Sequence, residues 1–206
     1  MTSQQALFVR EFLRHPLRTA SLLPSSPRLA RHLAAAVPGR GEPVVVELGP
    51  GTGPVTAAIQ QRLAGRGRHV AIELNARLAC HLRQRFPGVD VATAPAADLP
   101  ALLAARGVPV ADVVVSSLPW SAFAGPGGEA LVATIASVLP ETGVYTQFTY
   151  TWTRWASPGR RQLTQLRHTF EEVLISRTVW RNFPPALVYS SRRPRSLRAA
   201  ATERAA

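Results

Sequence analysis

The sequence predicts an α/β protein whose core is a mostly parallel β-sheet covered by helices on both faces. Short apolar runs rich in β-branched residues, such as 43–49 and 111–116, alternate along the chain with segments of helical periodicity. Alternation of this kind is typical of right-handed βαβ units. The last two of seven strand segments have no helix between them, so we expect them to pair antiparallel at one edge of the sheet.

The predicted elements follow in order from the amino terminus. The first strand, 43–49, ends at a glycine, and Pro54 begins the helix that follows because proline suits the first helical turn. Asn75 is expected to cap the helix after the second strand, since its side chain can accept free N–H groups there. The other segments alternate similarly. Strands are predicted over 69–74, 89–93, 111–116, 143–151, 172–178 and 186–192, and helices over 54–64, 75–86, 99–106, 128–139 and 160–168.

Length and composition exclude several classes of protein. The chain has 206 residues, of which 46% are apolar, so it can bury the core of one domain. Cys80 is its single cysteine, which excludes an intramolecular disulfide and a multi-cysteine metal site and fits a reducing compartment. No apolar run reaches the ~18 residues of a membrane span, and the amino terminus lacks a signal-peptide core. These features predict a soluble or surface-associated intracellular protein.

Positive charge is concentrated at the two ends of the chain. All 24 basic side chains are arginine, and with 12 acids the formal net charge is +12. Residues 1–43 hold six arginines and two acids, residues 44–150 hold seven of each, and residues 151–206 hold eleven arginines and three acids. A neutral centre with basic ends indicates an anionic partner, either phospholipid headgroups or nucleic acid. The alternative is a set of arginines scattered over a solvated surface.

The stretch Glu-Leu-Gly-Pro-Gly-Thr-Gly, residues 47–53, lies between the first strand and the first helix. Gly49, Gly51 and Gly53 allow a tight turn and let a ligand approach the backbone beside a helix N-terminus. Glu73 ends the second strand 20 residues past Gly53, where a carboxylate can bind ribose hydroxyls. Nicotinamide-binding folds carry G-x-G-x-x-G, whereas this loop is G-x-G-x-G. A loop that serves only the turn is the alternative.

The same pattern, E-x-G-x-G-x-G, resembles the first motif of the S-adenosylmethionine-dependent methyltransferases. The resemblance implies their Rossmann-like fold and S-adenosyl-L-methionine as cofactor. It also implies that Glu47 orients the methionine ammonium end through the loop and that Glu73 binds the ribose. Asp98 comes a few residues later than the family's adenine-binding acid, and capping of the next helix is its alternative role. The implied cofactor-binding residues are Glu47, Gly49, Pro50, Gly51, Thr52, Gly53, Glu73, Leu74, Asp98 and Ser116.

The fourth strand ends in Ser-Ser-Leu-Pro-Trp, residues 116–120. Its last four residues are similar to the [DNS]-[IL]-P-[FYW] element of amino-group methyltransferases, which implies that backbone carbonyls there accept hydrogen bonds from an amine. Trp120 would shield the transfer site or stack on the acceptor, the alternative being a packed aromatic. Tyr145 and Tyr150, both on the fifth strand, are candidate bases, and packing in the core is the alternative role for each. The implied catalytic residues are Ser117, Leu118, Pro119, Trp120 and Tyr150.

The amino-terminal segment has the pattern of an amphipathic helix. Such a helix can lie in a membrane interface with its apolar side down and its arginines among lipid phosphates. A lid over the core is the alternative, and the two roles can coexist. The apolar side carries Phe8, Phe12 and Leu13, and the other side carries Arg10, Arg14 and Arg18.

The order F-x-x-x-F-L-R-x-P-L-R-T-x-S-L-L-P-S-S-P-x-L-A, then E-L-G-P-G-T-G, S-L-P-W and Q-F-T-Y, resembles the bacterial phospholipid N-methyltransferases over most of residues 8–192. This implies methylation of the phosphatidylethanolamine amine by a peripheral protein at the cytoplasmic face of the inner membrane. An adenine-N6 rRNA methyltransferase, a small-molecule methyltransferase and a non-catalytic protein of the same fold remain alternatives. The predicted divisions are a helical segment 1–42, a cofactor-binding domain 43–193 and a flexible basic tail 194–206.

Overall fold

The structure is a computed structural model that describes residues 25–118, 120 and 126–195. Short 3₁₀ turns lie at Ala34–Ala36, Ala96–Asp98 and Thr153–Trp155. The helices are α1 Pro27–Leu33, α2 Pro54–Leu63, α3 Ala76–Arg85, α4 Leu99–Ala104, α5 Pro126–Ser137 and α6 Ser157–Thr169. The strands are β1 Val44–Leu48, β2 Arg68–Ile72, β3 Asp90–Ala92, β4 Val113–Ser116, β5 Val144–Tyr150, β6 Phe170–Ile175 and β7 Ala186–Pro194.

The seven strands form one sheet in the order β3–β2–β1–β4–β5–β7–β6. The first five pair in parallel, while β7 pairs antiparallel with β5 on one side and with β6 on the other. The predicted α/β class, strand number and antiparallel edge hairpin are thus confirmed. Because β7 runs against its neighbours, β6 points in the same direction as β5.

Helices cover both faces of the sheet, as continuous apolar strands require. Strands β1 and β4 are almost wholly buried. On one face the core side chains of α4, α5 and α6 pack against the sheet, and on the other face those of α1 and α2 do so. Helix α3 packs on the outer strands β2 and β3.

Differences from the predicted boundaries occur mainly after β5. Helix α6 begins at Ser157, three residues before the predicted start, since Pro158 fits its first turn. Strand β6 begins at Phe170, which is fully buried and pairs with Pro194. Strand β7 therefore reaches one residue into the stretch predicted as a flexible tail. Asn75 caps α3 as predicted, its side chain accepting from two backbone N–H groups.

Helix α1 belongs to the core, although it falls inside the segment predicted as a separate N-terminal unit. Leu29 and Leu33 are fully buried against the sheet. The Thr146 hydroxyl on β5 donates to the Leu33 carbonyl over 3.0 Å. The predicted amphipathic helix lies outside the described residues. Within them, no helix is both long enough and apolar enough to cross a bilayer.

Replacement of Leu33 by alanine should test whether α1 is part of the folded core. Removing this buried side chain should lower the free energy of unfolding by about 2–5 kcal/mol, measured by urea denaturation. Arg31→Ala changes an exposed residue of the same helix and should shift it by no more than about 0.5 kcal/mol. Equal shifts in both variants would contradict the packing of α1 on the sheet.

Candidate active site at the carboxyl edge of the sheet

The turns after β1, β2 and β4 meet at the carboxyl edge of the sheet. The Gly49 N–H donates to the Ile72 carbonyl at the end of β2, over 2.9 Å. On the other side, the Ser117 N–H donates to the Leu48 carbonyl at the end of β1, over 2.8 Å. The glycine loop therefore lies between the residues expected to bind ribose and those expected to bind the acceptor.

The three glycines of the loop all have left-handed backbones, with φ of 68° at Gly49, 60° at Gly51 and 87° at Gly53. A Cβ on Gly49 would lie 2.7 Å from the Leu118 side chain, and one on Gly53 would lie 2.6 Å from Phe86. At Gly51 a Cβ would meet no described atom within 4 Å. Packing thus requires the outer glycines, whereas the middle one borders open space that a ligand can occupy.

A hydrogen bond within the loop and one from α3 hold the loop in this shape. The Gly53 N–H donates to the Pro50 carbonyl over 3.0 Å, which closes the turn. The Arg85 guanidinium donates to the Thr52 carbonyl over 2.8 Å. Pro50 and Thr52 are buried, so they support the loop from below. Sequence reasoning missed Arg85, because its place in the last turn of α3 gives no sign of this contact.

Glu47 lies fully buried at the end of β1. Its Oε2 accepts a 2.7 Å hydrogen bond from the Thr56 hydroxyl on α2 and lies 3.2 Å from His69 Nε2. Its other oxygen, Oε1, has no hydrogen-bond partner among the described residues. The carboxylate thus ties β1 and α2 together, and the indirect effect on the methionine end of a cofactor stays a prediction.

Glu73 joins the loops that follow β1 and β2. Its Oε2 accepts from the Gly51 N–H over 3.0 Å, and its Oε1 accepts from the Asn75 N–H over 2.9 Å. Burial raises the pKa of this carboxyl, and hydrogen bonds from the backbone N–H groups of Asn75, Gly51 and Leu74 oppose that shift. A carboxylate can accept more hydrogen bonds than these, so Glu73 can also accept one from a ribose hydroxyl. Leu74 beside it is 53% exposed and offers apolar surface.

Asp98 does not act as the predicted side-chain cap. It occupies the position before α4, but its carboxylate makes no capping hydrogen bond, and the residue is exposed. The backbone before α4 is already turned by the 3₁₀ segment, so the side chain is not needed there. Its role toward adenine stays a prediction.

Ser116, predicted to bind the cofactor, is placed by the structure inside the core, and its role toward the cofactor stays a prediction. Its side chain is fully buried, and its hydroxyl oxygen accepts from Trp120 Nε1 over 3.2 Å and from the Leu118 N–H over 3.3 Å. Ser116 therefore shapes the acceptor turn from within the core. The neighbouring Ser117 hydroxyl is buried and has no hydrogen-bond partner in the described part of the chain. Pro119 lies outside the described residues.

Trp120 has the packed arrangement given above as its alternative role. It is 4% exposed and meets Tyr145 edge to face, with ring centroids 6.2 Å apart. Stacking of Trp120 on an acceptor stays a prediction, and it would require the ring to leave this position. The packed ring holds the acceptor turn against the core.

Tyr145 is corrected as a candidate base. The side chain is fully buried, and its hydroxyl donates a 2.6 Å hydrogen bond to Gln147 Oε1. Burial raises the pKa of Tyr145 well above its usual value, so the phenol stays protonated near neutral pH. Tyr150 is half-buried at the end of β5, edge to face with Phe148, and its proposed role as a base stays a prediction.

Solved structures with this fold include methyltransferases that hold the cofactor or its product. Human methyltransferase-like protein 13, in complex with SAH, matches with a TM-score of 0.57 at 17% identity, over 80% of this chain and 81% of that chain. Fibrillarin from Aeropyrum pernix, with bound S-adenosyl-L-methionine, matches with a TM-score of 0.58 at 16% identity, over 78% and 72%. At such identities the likeness shows the fold alone.

The fold and the relative described next together assign the chain to the S-adenosylmethionine-dependent methyltransferases. No family model matches the chain. The chain is 35% identical to the ornithine lipid N-methyltransferase of Singulisphaera acidiphila over 189 residues, which is 90% of this chain and 94% of that protein. It belongs to the family of that methyltransferase.

Gly51→Val should abolish binding of S-adenosylhomocysteine, measured by calorimetry, because the side chain would fill the open space beside the loop. Gly107→Val is the matched control, since Gly107 also has positive φ (69°) and no described atom within 4 Å of a Cβ, but lies before β4, away from the glycine loop. Both variants should lose about 1–2 kcal/mol of stability from left-handed strain. Equal affinities in the two folded variants would refute the assigned cofactor site.

Cofactor affinity should fall as the pH is lowered through the pKa of Glu73. Hydroxyl groups donate to the charged carboxylate, and burial has raised its pKa, so the fall should begin above the pH at which an ordinary glutamate is protonated. Below that pKa the dissociation constant should rise about tenfold per pH unit. Glu73→Gln should bind about 1–3 kcal/mol more weakly and lose this pH dependence. Identical profiles for both proteins would rule out Glu73 as the titrating group.

Proposed function

We propose that this methyltransferase acts on the amino group of a membrane lipid. The observation that supports the proposal is its 35% identity, over 90% of the chain, to an enzyme named for N-methylation of ornithine lipid. The site is compatible with such an acceptor, because the turn expected to bind an amine lies directly beside the glycine loop.

For methyl transfer, the protein mainly has to align the acceptor amine with the methyl group and to exclude water. When bound, S-adenosylmethionine supplies a methyl group that its sulfonium already activates. Glu73 and the glycine loop would hold the nucleoside, while Leu118 packs against Gly49 and so fixes the acceptor turn to that loop. Carbonyls of residues 117–119 would then accept hydrogen bonds from the amine.

The acceptor amine is an ammonium group near neutral pH, so it must lose a proton before transfer. Tyr145 is too deeply buried to take that proton. Tyr150, at the carboxyl end of β5, is the remaining candidate from the sequence, and water at the mouth of the site can also receive the proton.

Two lipid acceptors fit the proposal. Phosphatidylethanolamine is the acceptor that the sequence motifs imply, and ornithine lipid is the substrate in the name of the curated relative. Both present a primary ammonium on a short alkyl chain close to an anionic group. We further propose that the enzyme works at the cytoplasmic face of the inner membrane, where Arg10, Arg14 and Arg18 would meet lipid phosphates.

Incubation with radiolabelled S-adenosylmethionine should transfer label to a lipid amine. The acceptors are phosphatidylethanolamine and ornithine lipid, each dispersed in detergent, with 16S and 23S rRNA and a panel of small amines in parallel. Label is expected in one or both lipids and absent with Gly51→Val. Label in rRNA or in a small amine alone would overturn the proposal, and the lipid labelled faster identifies the acceptor.

A further inference from the structure

Two chain segments that have no role in the proposed function meet at the carboxyl edge of the sheet. The first, 151–156, follows β5, and the second, 176–185, connects β6 to β7. Because β6 runs in the same direction as β5, both segments lie on the side of the sheet that carries the glycine loop. Tyr150 pairs with Ala186, and the Thr151 N–H donates to the Pro185 carbonyl over 2.9 Å, so the segments touch.

These segments expose large aromatic side chains to an unusual extent. Aromatic residues normally contribute most of their area to cores and interfaces. Three of the four tryptophans of the chain are exposed here, whereas the fourth, Trp120, is buried. We define the aromatic patch as Trp152, Trp155, Trp180 and Phe183, which are 65%, 72%, 75% and 77% exposed.

The charged residues of the two segments are all arginines. Arg177 and Arg181 are exposed, and Arg154 is half-buried with its guanidinium over the Trp155 ring, 5.2 Å from the centroid. Neither segment contains an aspartate or a glutamate. The two segments therefore combine exposed aromatic rings with arginine side chains and no acidic ones.

Polar contacts beneath the aromatic patch hold it in place. Asn182 is 6% exposed, its amide nitrogen donates to the Pro184 carbonyl over 2.7 Å, and its side-chain oxygen accepts from the Ser26 N–H over 2.9 Å. The Thr153 hydroxyl donates to the Tyr150 carbonyl over 2.8 Å. The rings are thus presented outward by a backbone that is itself anchored in the fold.

We propose that the aromatic patch docks on an anionic phospholipid bilayer and turns the carboxyl edge of the sheet toward it. Tryptophan favours the membrane–water interface, and arginine is attracted to anionic headgroups. The inference extends the proposed function, since the edge that meets lipid would be the edge that methylates it.

The test measures docking without any methyl transfer. Vesicles of phosphatidylglycerol and phosphatidylcholine, with and without bromine on the acyl chains, are mixed with the full chain at low salt. Sedimentation gives the bound fraction, and tryptophan emission reports insertion. Bound wild-type protein should shift its emission to the blue and be quenched by brominated lipid. A variant with Trp152, Trp155 and Trp180 changed to phenylalanine should still sediment but show little quenching, since only the buried Trp120 remains.

A second pair of variants separates the aromatic patch from general charge. Trp152→Ala with Trp180→Ala and Arg181→Glu should weaken vesicle binding about tenfold. Val110→Ala with Arg40→Glu changes an exposed apolar residue and an exposed arginine at the opposite edge, with the same change in net charge, and should weaken it less than about twofold. Methylation of detergent-dispersed lipid should stay unchanged in both.

Several results would overturn docking while leaving the proposed function intact. In the first, the wild-type protein stays in the supernatant. In the second, the protein sediments but its tryptophans are not quenched, because the amino-terminal segment alone binds the vesicles or because it covers the aromatic patch. A blue shift induced by rRNA instead of vesicles would assign the surface to nucleic acid. Conversely, quenching by brominated lipid without any lipid methylation would uphold docking and refute the proposed function.

Discussion

The hydrogen bond from the Gly51 N–H to the Glu73 carboxylate fixes the geometry on which the site depends. It joins residues 22 apart in sequence, from the loops after two neighbouring strands. A buried carboxylate without partners would be costly, and the N–H groups of Gly51 and Asn75 supply the donors that it needs. The same contact shapes the glycine loop, so the predicted binding of ribose by Glu73 would depend on the conformation of that loop.

The acceptor turn depends on that loop through packing. Leu118 fits against Gly49 because no Cβ is present there. The Ser116 hydroxyl accepts hydrogen bonds from the Leu118 N–H and the Trp120 indole N–H and so holds the turn from the core side. A change at Gly49 would therefore disturb both halves of the site. Energetic effects of substitutions at these contacting residues should be non-additive for this reason.

Short-range patterns predicted the parts of this structure that local chemistry determines. The glycine loop, the Asn75 cap and the edge hairpin depend on residues close in sequence, and all are present. The burial of the Ser116 side chain was not predicted, because a strand pattern does not tell which polar side chains find partners inside. The Thr146 contact to Leu33 spans 113 residues, and the Asn182 contact to Ser26 spans 156. Local periodicity contains no information about such pairs.

The direction of β7 determines which chain end is useful for attaching the protein to a support. Strand β7 starts at the carboxyl edge and runs to the opposite edge, where the Arg195 N–H reaches the Thr169 carbonyl over 2.9 Å. The described chain thus leaves the sheet at the edge away from the glycine loop. At Ser26, in contrast, it enters at the edge that carries the glycine loop. An affinity tag after Arg195 would immobilise the molecule on a sensor chip with its site facing the solution. The same tag before Ser26 would stand in front of the site.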